Sequence, residues 1–299
     1  MLTRLRSAAR RQLACAGRHA IGPLIFKLHK PVRGPQAPVS VHMLVSSETW
    51  DAGILAAISF ENFSARSWPF FIHDDGSVTA SQRRAIERTL PGARFIPRPE
   101  ADKVALDQLA RYPKSLSNRG RHNLSLKFFD FPAHAPYDRF LVLDSDVIFF
   151  KRPTEILDWV DSGKEEFWFN EDTGEKYCSP RPQIENALRM KIWEKVNTGI
   201  CLVPKSAISL ELGERLIAAF ETSAHHPQFF EQTLYALMAS AHSRGGMLPS
   251  TYNISWGYLR AAGSVCRHYV GAFKHDLLYI EGAPSLLGLM AISRLLRRN

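Results

Sequence analysis

The stretch Phe140-Leu141-Val142-Leu143-Asp144-Ser145-Asp146-Val147-Ile148-Phe149-Phe150 constrains this chain more than any other. Two carboxylates, one residue apart, interrupt an otherwise continuous apolar run. Burying one carboxylate is costly, and two like charges side by side cost more. Something positive must compensate, and a divalent cation does so most simply. Oxygen-rich sites of this kind suit Mg²⁺ or Mn²⁺. The expectation is a metal site at the end of a central strand, in an enzyme that handles phosphate esters.

The sequence around this stretch alternates strand and helix. Val39–Val45 reads as a first core strand, and Ser46-Ser47-Glu48 opens a helix over 50–63 with Ser47 as its N-cap. Residues 68–73 read as a second strand, 79–90 as a helix and 93–96 as a third strand. Residues 118–130 read as one helix that carries Lys127. Beyond the acidic pair come a helix at 154–160, strands at 166–169 and 196–203, and helices near 208–222 and 228–242. Segments 247–253 and 266–270 read as late strands or loops. This alternation predicts an α/β fold with a mainly parallel sheet and helices on both faces. In open sheets of this type ligands sit at the carboxyl ends of the strands.

The 299 residues are 45% hydrophobic, enough to bury a real core. The four cysteines are scattered and form no CxxC pair, so neither a zinc site nor a disulfide framework is expected. A reducing cytosol fits. Net charge is +9, yet residues 1–33 hold eight Lys/Arg and no acid, and 283–299 hold three more. Taking those away leaves the middle at −2. The globular body therefore lacks the basic stripe that nucleic acid would need.

The ends are a separate matter. Residues 1–38 form a basic segment and a Pro-rich linker, 39–282 the main domain, and 283–299 a basic amphipathic helix. In the first segment Leu2, Leu5, Leu13, Ile21, Leu24, Ile25 and Leu28 fall at roughly helical spacing, with arginines opposite. Such a helix lies in an anionic membrane interface, or docks on the domain. An Arg-rich, acid-free start also reads as an organelle transit peptide, whereas the features of a secretory signal are missing. No apolar stretch approaches the roughly 18–20 residues of a membrane span. The expected location is the cytoplasm, free or peripheral on the cytoplasmic face of a membrane.

Val142-Leu143-Asp144-Ser145-Asp146-Val147, followed by Arg152-Pro153, resembles the Asp-X-Asp segment of the glycosyltransferase family 8 type. That family includes glycogenins and bacterial lipopolysaccharide sugar transferases. Further segments continue the likeness in order: Asn197-Thr198-Gly199, Glu231-Gln232, and His268-Tyr-Val-Gly271-Ala-Phe-Lys274. Lys127 matches a basic residue in the helix before the metal strand. The resemblance covers 39–275 and implies the GT-A fold, a Rossmann-like α/β domain.

By the same resemblance, Asp144, Asp146 and His268 would hold Mn²⁺ or Mg²⁺, which also takes diphosphate oxygens. Gly271 would let backbone approach the phosphates, and Lys274 would be a point charge on them. Ser145 belongs to the same donor-binding set. Ser46 and Ser47 match positions that contact the nucleoside; a plain helix cap accounts for them equally well. Asn197, Glu231 and Gln232 would face the sugar, and Lys127 the sugar or phosphate. The implied reaction moves a sugar, with retention, from a nucleotide-sugar donor to a hydroxyl acceptor. UDP is the family's usual carrier, and the basic ends suggest a lipid-linked or cell-surface glycan as acceptor.

This chain departs from the pattern in three places. Glu231 replaces the usual Asp, Thr233 replaces an acid, and His275-Asp276 replace Pro-Trp. Two rival readings stand beside the transferase. A haloacid-dehalogenase-like phosphotransferase also uses an Asp-X-Asp pair, but normally after its first strand. A catalytically degenerate, membrane-associated scaffold would not need the phosphate and metal positions that are intact here.

Overall fold

A computed structural model describes residues 2–32, 34–271 and 274–296, excepting the side chains of 2–7 and 293–296. Ten strands are present among these residues: β1 (Ser40–Val45), β2 (Phe70–Asp74), β3 (Arg94–Ile96), β4 (Arg139–Leu143), β5 (Val147–Phe149), β6 (Phe167–Glu171), β7 (Val196–Pro204), β8 (Gly245–Met247), β9 (Tyr252–Ser255) and β10 (Cys266–Tyr269). Seven of them form one sheet in the order β3-β2-β1-β4-β7-β6-β8. Only β7 runs against its neighbours; the other pairings are parallel. The expected mixed, mainly parallel α/β sheet is what the chain forms.

Helices cover both faces of this sheet. The N-terminal pair is α1 (Leu2–Ala16) and α2 (Gly22–Leu28), joined by a π turn at Gly17–Ile21. Then follow α3 (Trp50–Ser64), α4 (Ala80–Thr89), α5 (Arg98–Gln108), α6 (Pro113–Arg121), α7 (Ser125–His134), α8 (Thr154–Ser162), α9 (Arg181–Leu188), α10 (Leu210–Phe220), α11 (Phe230–His242), α12 (Lys274–Leu277) and α13 (Ala283–Leu296). Alternate residues of β4 serve different cores. Leu141 and Leu143 pack with α3 and α8, while Phe140 and Val142 pack with α7, α10 and α11. In β7, Ile200 and Leu202 face the first core, and Cys201 and Val203 the second. A period of two with both faces apolar is the mark of a central strand.

The apolar run at 140–150 is not one strand. β4 ends at Leu143 in the main sheet, and β5 belongs to a second sheet of order β5-β10-β9. The acidic pair forms the turn where the chain passes between the two sheets. Two buried sheets explain why the apolar pattern continues across a break in the strand.

Other boundaries moved as well. The single helix expected at 118–130 is two, because His122 adopts an extended conformation (φ −128°, ψ 106°) between α6 and α7. The N-cap of α3 is Thr49 rather than Ser47, and no side chain caps it. Instead Thr49 Oγ1 accepts from the Ser46 N–H at 3.0 Å, which tightens the loop. Helices α5 and α6 fill 98–121, where no apolar period announces them.

At the N-terminus the apolar face expected to meet a membrane or to dock on the domain is only partly buried. Ile25 is buried, but Leu13 is 61% and Leu24 43% exposed. The buried positions are instead Ala14, Gly17, Gly22 and Ile25, because the π turn shifts the register between α1 and α2. Gly17 lies directly against the Tyr279 carbonyl, leaving no room for a β-carbon. On α13, Leu286 and Met290 are buried, while Ile292 is 55% exposed. The side chains expected at Leu2, Leu5, Arg4, Arg6, Arg294, Leu295 and Leu296, and residues Arg33, Arg297 and Arg298, lie outside the described residues. Among the described residues, no helix is long and apolar enough to cross a membrane.

Candidate metal centre

Three strand ends converge on the acidic turn. The Asp144 N–H donates to the Gly199 carbonyl of β7 at 2.8 Å, and the Tyr269 N–H of β10 donates to the Asp146 carbonyl at 2.9 Å. β10 also pairs antiparallel with β5, which sets His268 opposite Val147. Residues far apart in sequence thereby present one cluster. Ligand atoms of Asp144, Asp146 and His268 lie within 4.8 Å of one another.

The orientation of His268 follows from its neighbours. Asn197 Oδ1 accepts the Gly199 N–H at 2.9 Å, which fixes that atom as the amide oxygen. The same oxygen lies 3.0 Å from His268 Nδ1, so Nδ1 carries the proton. Nε2 then faces the carboxylates, 3.1 Å from Asp146 Oδ1 and 3.8 Å from Asp144 Oδ2. Metal-binding imidazoles are oriented in this way, through a hydrogen bond at the other ring nitrogen. Gly199 makes the arrangement feasible, because a β-carbon there would overlap the His268 ring.

The donor set fits a divalent cation. Asp146 Oδ1 is buried and accepts no hydrogen bond from the protein. A buried carboxylate oxygen without a donor is costly unless a cation meets it. Two carboxylates and one imidazole suit Mn²⁺ well and Mg²⁺ adequately.

Two lysines complete the electrostatics. Lys127, from α7, is 2% exposed. Its ammonium donates to Asp144 Oδ1 at 2.8 Å and lies 3.2 Å from Glu231 Oε1. It also reaches the Thr198 carbonyl at 3.2 Å. Burial alone would lower its pKa, but Asp144 and then Glu231 outweigh that and keep it charged. Glu231, in the first turn of α11, accepts from the Thr198 hydroxyl at 2.9 Å. Its carboxyl is pushed up to about 7 by burial, with Lys127 pulling the other way.

On the far side, Lys274 Nζ donates to Asp146 Oδ2 at 2.8 Å. The Asp146 charge raises the Lys274 pKa against the effect of burial. For Asp146 itself, burial would raise the carboxyl; when the His268 imidazole is charged, it and then Lys274 hold Asp146 well below the usual range, and a cation at the bare Nε2 would take over that role.

The structure thus gathers Asp144, Asp146, His268, Asn197, Lys127, Glu231 and Lys274 into one network. Gln232, next to Glu231, stands outside this network: its amide donates to the Lys176 carbonyl at 2.8 Å. Ser145 is buried, its Cβ against the position where Gly53 of α3 lacks one. Ser46 and Ser47 stand at the carboxyl end of β1, with the Ser47 N–H donating to Ser77 Oγ at 2.9 Å. Gly271 has φ +85°, and a β-carbon there would also run into the Trp256 ring. Its room is thus used first by Trp256.

Some members of the network carry little sequence signal. Asp172 is buried and accepts from Asn197 Nδ2 at 2.8 Å, with Lys176 Nζ 3.0 Å from its other oxygen. It lies in an irregular polar stretch where an acid looks ordinary. Thr198 and Gly199 were visible only as neighbours of Asn197.

No protein-family model matches the chain, and no curated protein matches it in sequence. Solved structures do match in fold. The galactosyltransferase LgtC, in complex with donor and acceptor sugar analogues, superposes with a TM-score of 0.57 at 16% identity, over 85% of this chain and 95% of that one. Apo WbbM, a bifunctional glycosyltransferase, gives 0.53 at 15%, over 87% of this chain and 52% of that one. Mouse xyloside xylosyltransferase 1, also apo, gives 0.51 at 11%, over 77% and 97%. At such identities the likeness is one of architecture, and the architecture is the GT-A fold of glycosyltransferases.

Proposed function

We propose that this chain is a divalent-metal-dependent glycosyltransferase that moves a sugar from a nucleoside-diphosphate donor to a hydroxyl acceptor. The observation that carries the reading is the Asp144–Asp146–His268 cluster at the carboxyl end of β4, with Asp146 Oδ1 buried and undonated. In parallel sheets that end is where ligands bind. Asp144, Asp146 and His268 would hold Mn²⁺ or Mg²⁺. The bound ion supplies neutralisation of the charge that develops on the departing diphosphate.

The chain's own groups do the rest. Lys127 and Thr198 hold Asp144 and Glu231 in place. Lys274, whose ammonium stands beside Asp146, is a second positive charge for the diphosphate. Asn197 orients His268, and Ser145, Gly271, Ser46 and Ser47 shape the donor side. Gln232 would face the reacting sugar. Retention by double displacement would need a carboxylate nucleophile beneath the sugar. Glu231 is held by Lys127 and Thr198, and Asp172 by Asn197 and Lys176, so both nearby carboxylates are engaged. This favours front-face attack, with the leaving diphosphate taking the acceptor's proton. UDP is the carrier proposed, and a lipid-linked or cell-surface glycan the acceptor class.

The test is a nucleoside-diphosphate release screen across nucleotide sugars, with Mn²⁺, with Mg²⁺ and with EDTA. Release from one donor, dependent on metal and lost in Asp146→Asn, supports the reading. Metal-independent release, or phosphatase action on small phosphoesters with no donor cleaved, contradicts it.

A further inference from the structure

The basic N-terminus would suit an anionic membrane, yet the structure turns two of its arginines inward. Arg18 forms a fork on Asp51, Nε to Oδ2 at 2.6 Å and Nη2 to Oδ1 at 2.9 Å. Its Nη2 also donates to the Glu48 carbonyl at 3.0 Å. Asp51 opens α3, so Arg18 fixes the loop 46–51 that leaves the carboxyl end of β1. Eight residues earlier, Arg10 Nε donates to Asp276 Oδ2 at 2.7 Å. Asp276 lies two residues beyond Lys274, in the helical turn that carries that ammonium to Asp146.

Between these two contacts Gly17 seats against the Tyr279 backbone, and the Arg18 guanidinium lies 5.7 Å from the Tyr279 ring centroid. The two partners adjoin beneath the N-terminal helices, because Tyr279 lies beside Asp51: burial, and then the Asp51 charge, raises its phenol. Each also reaches the acidic turn: Gly53 of α3 abuts Ser145, and Lys274 holds Asp146. The N-terminal helices touch both.

We infer that α1 and α2 form a clasp on the donor site, in which Arg18 and Arg10 are positioning residues that hold the loop 46–51 and the Lys274 segment in register for a nucleoside diphosphate. This rests on the functional reading above. Neither arginine touches the acidic pair; each acts through the carboxylate it holds, Asp51 or Asp276. A bidentate fork is specific to arginine, so lysine at 18 keeps the charge and loses the geometry.

The probe is UDP with Mn²⁺. Its dissociation constant is measured by calorimetry, and amide hydrogen exchange is followed at 46–51 and 274–282. Proteins compared are the full chain, Arg18→Gln, Arg18→Lys, Arg10→Gln and the charge swap Arg10→Asp with Asp276→Arg. The expected result is UDP weakened about tenfold in Arg18→Gln and in Arg10→Gln, the scale of one lost charge-assisted bond. Arg18→Lys should recover part of the loss and the swap most of it. Exchange should rise in both segments whenever UDP weakens, even where thermal melting is unchanged.

Unchanged UDP affinity in both glutamine variants overturns the clasp. So does loss of binding to phosphatidylglycerol vesicles with UDP affinity intact, which would assign these arginines to a membrane. If the unaltered chain binds no UDP, the functional reading itself fails and the clasp with it. Binding by the unaltered chain together with indifferent variants fails the clasp alone.

Discussion

Glu231 is a residue whose state depends strongly on its surroundings. Its folded pKa of about 7 lies above the ordinary 4.5 because burial disfavours the charged form. Between these values the folded chain holds a proton that the unfolded chain has lost. Folding stability should therefore fall as pH rises from about 4.5 to about 7, and level off above that. The full span is worth at most about 3.4 kcal/mol at 1.36 kcal/mol per unit. In Glu231→Gln, denaturant midpoints taken in EDTA across that range should lose this slope; an unaltered slope would assign it to another group.

Gln232 lies one helical position away, outside that network, with its amide bonded to the Lys176 carbonyl. Gln232→Ala should lower turnover roughly tenfold or more, as removal of a transition-state donor does, and leave Mn²⁺ affinity near its starting value. Unchanged turnover would remove Gln232 from the reacting face. At this scale the sequence was informative where residue type is chemically unusual, as with two aspartates inside an apolar run. It was silent where the type is common. Asp172 and Lys176 look like any polar loop, and only folding brings them to Asn197.

At the scale of elements, the site is a junction of β4, β7 and β10. The first two were plain from their apolar runs, because central strands bury both faces. The third was ambiguous, since Cys266-Arg267-His268-Tyr269 has no apolar alternation. All four are buried, with Arg267 held by an ion pair to Glu281 at 3.1 Å. The split between β4 and β5 was hidden for a related reason: two sheets stacked end to end give one apolar pattern.

Gly199 is where β7 meets β10. Gly199→Ala should push the His268 ring aside and weaken Mn²⁺ about 10–100-fold, the range for a disturbed outer shell, while the fold survives. Circular dichroism and a Mn²⁺ titration on the same sample separate the two. Wild-type metal affinity in that variant would mean that His268 is not a ligand.

Over the whole molecule, charge distribution was read correctly and its meaning only in part. The arginines of the first helix are opposite its leucines in sequence, which left a helix in a membrane interface and a helix docked on the domain both open. In the fold Arg10 and Arg18 meet Asp276 and Asp51, and Leu13 and Leu24 face outward. Helical spacing alone does not tell which face finds a partner, because the π turn at Gly17–Ile21 resets it. Asp276 is also one of the positions where the sequence departs from the motif it resembles, so part of that departure has a partner in α1.

Removing residues 1–30 should uncover the apolar contacts of Ile25 and strand both carboxylates. A loss of about 2 kcal/mol would lower the melting temperature by roughly 4–8 °C. A melting curve that does not move would mean that the N-terminal helices add nothing to the stability of the body.

The most direct measurement of the central claim is Mn²⁺ binding followed by electron paramagnetic resonance, without and with UDP, on the full chain and on Asp146→Asn. The full chain should deplete the free Mn²⁺ signal through a single class of site. UDP should tighten this binding, and Asp146→Asn should abolish both effects. Equal depletion by the full chain and by Asp146→Asn, indifferent to UDP, would contradict that claim.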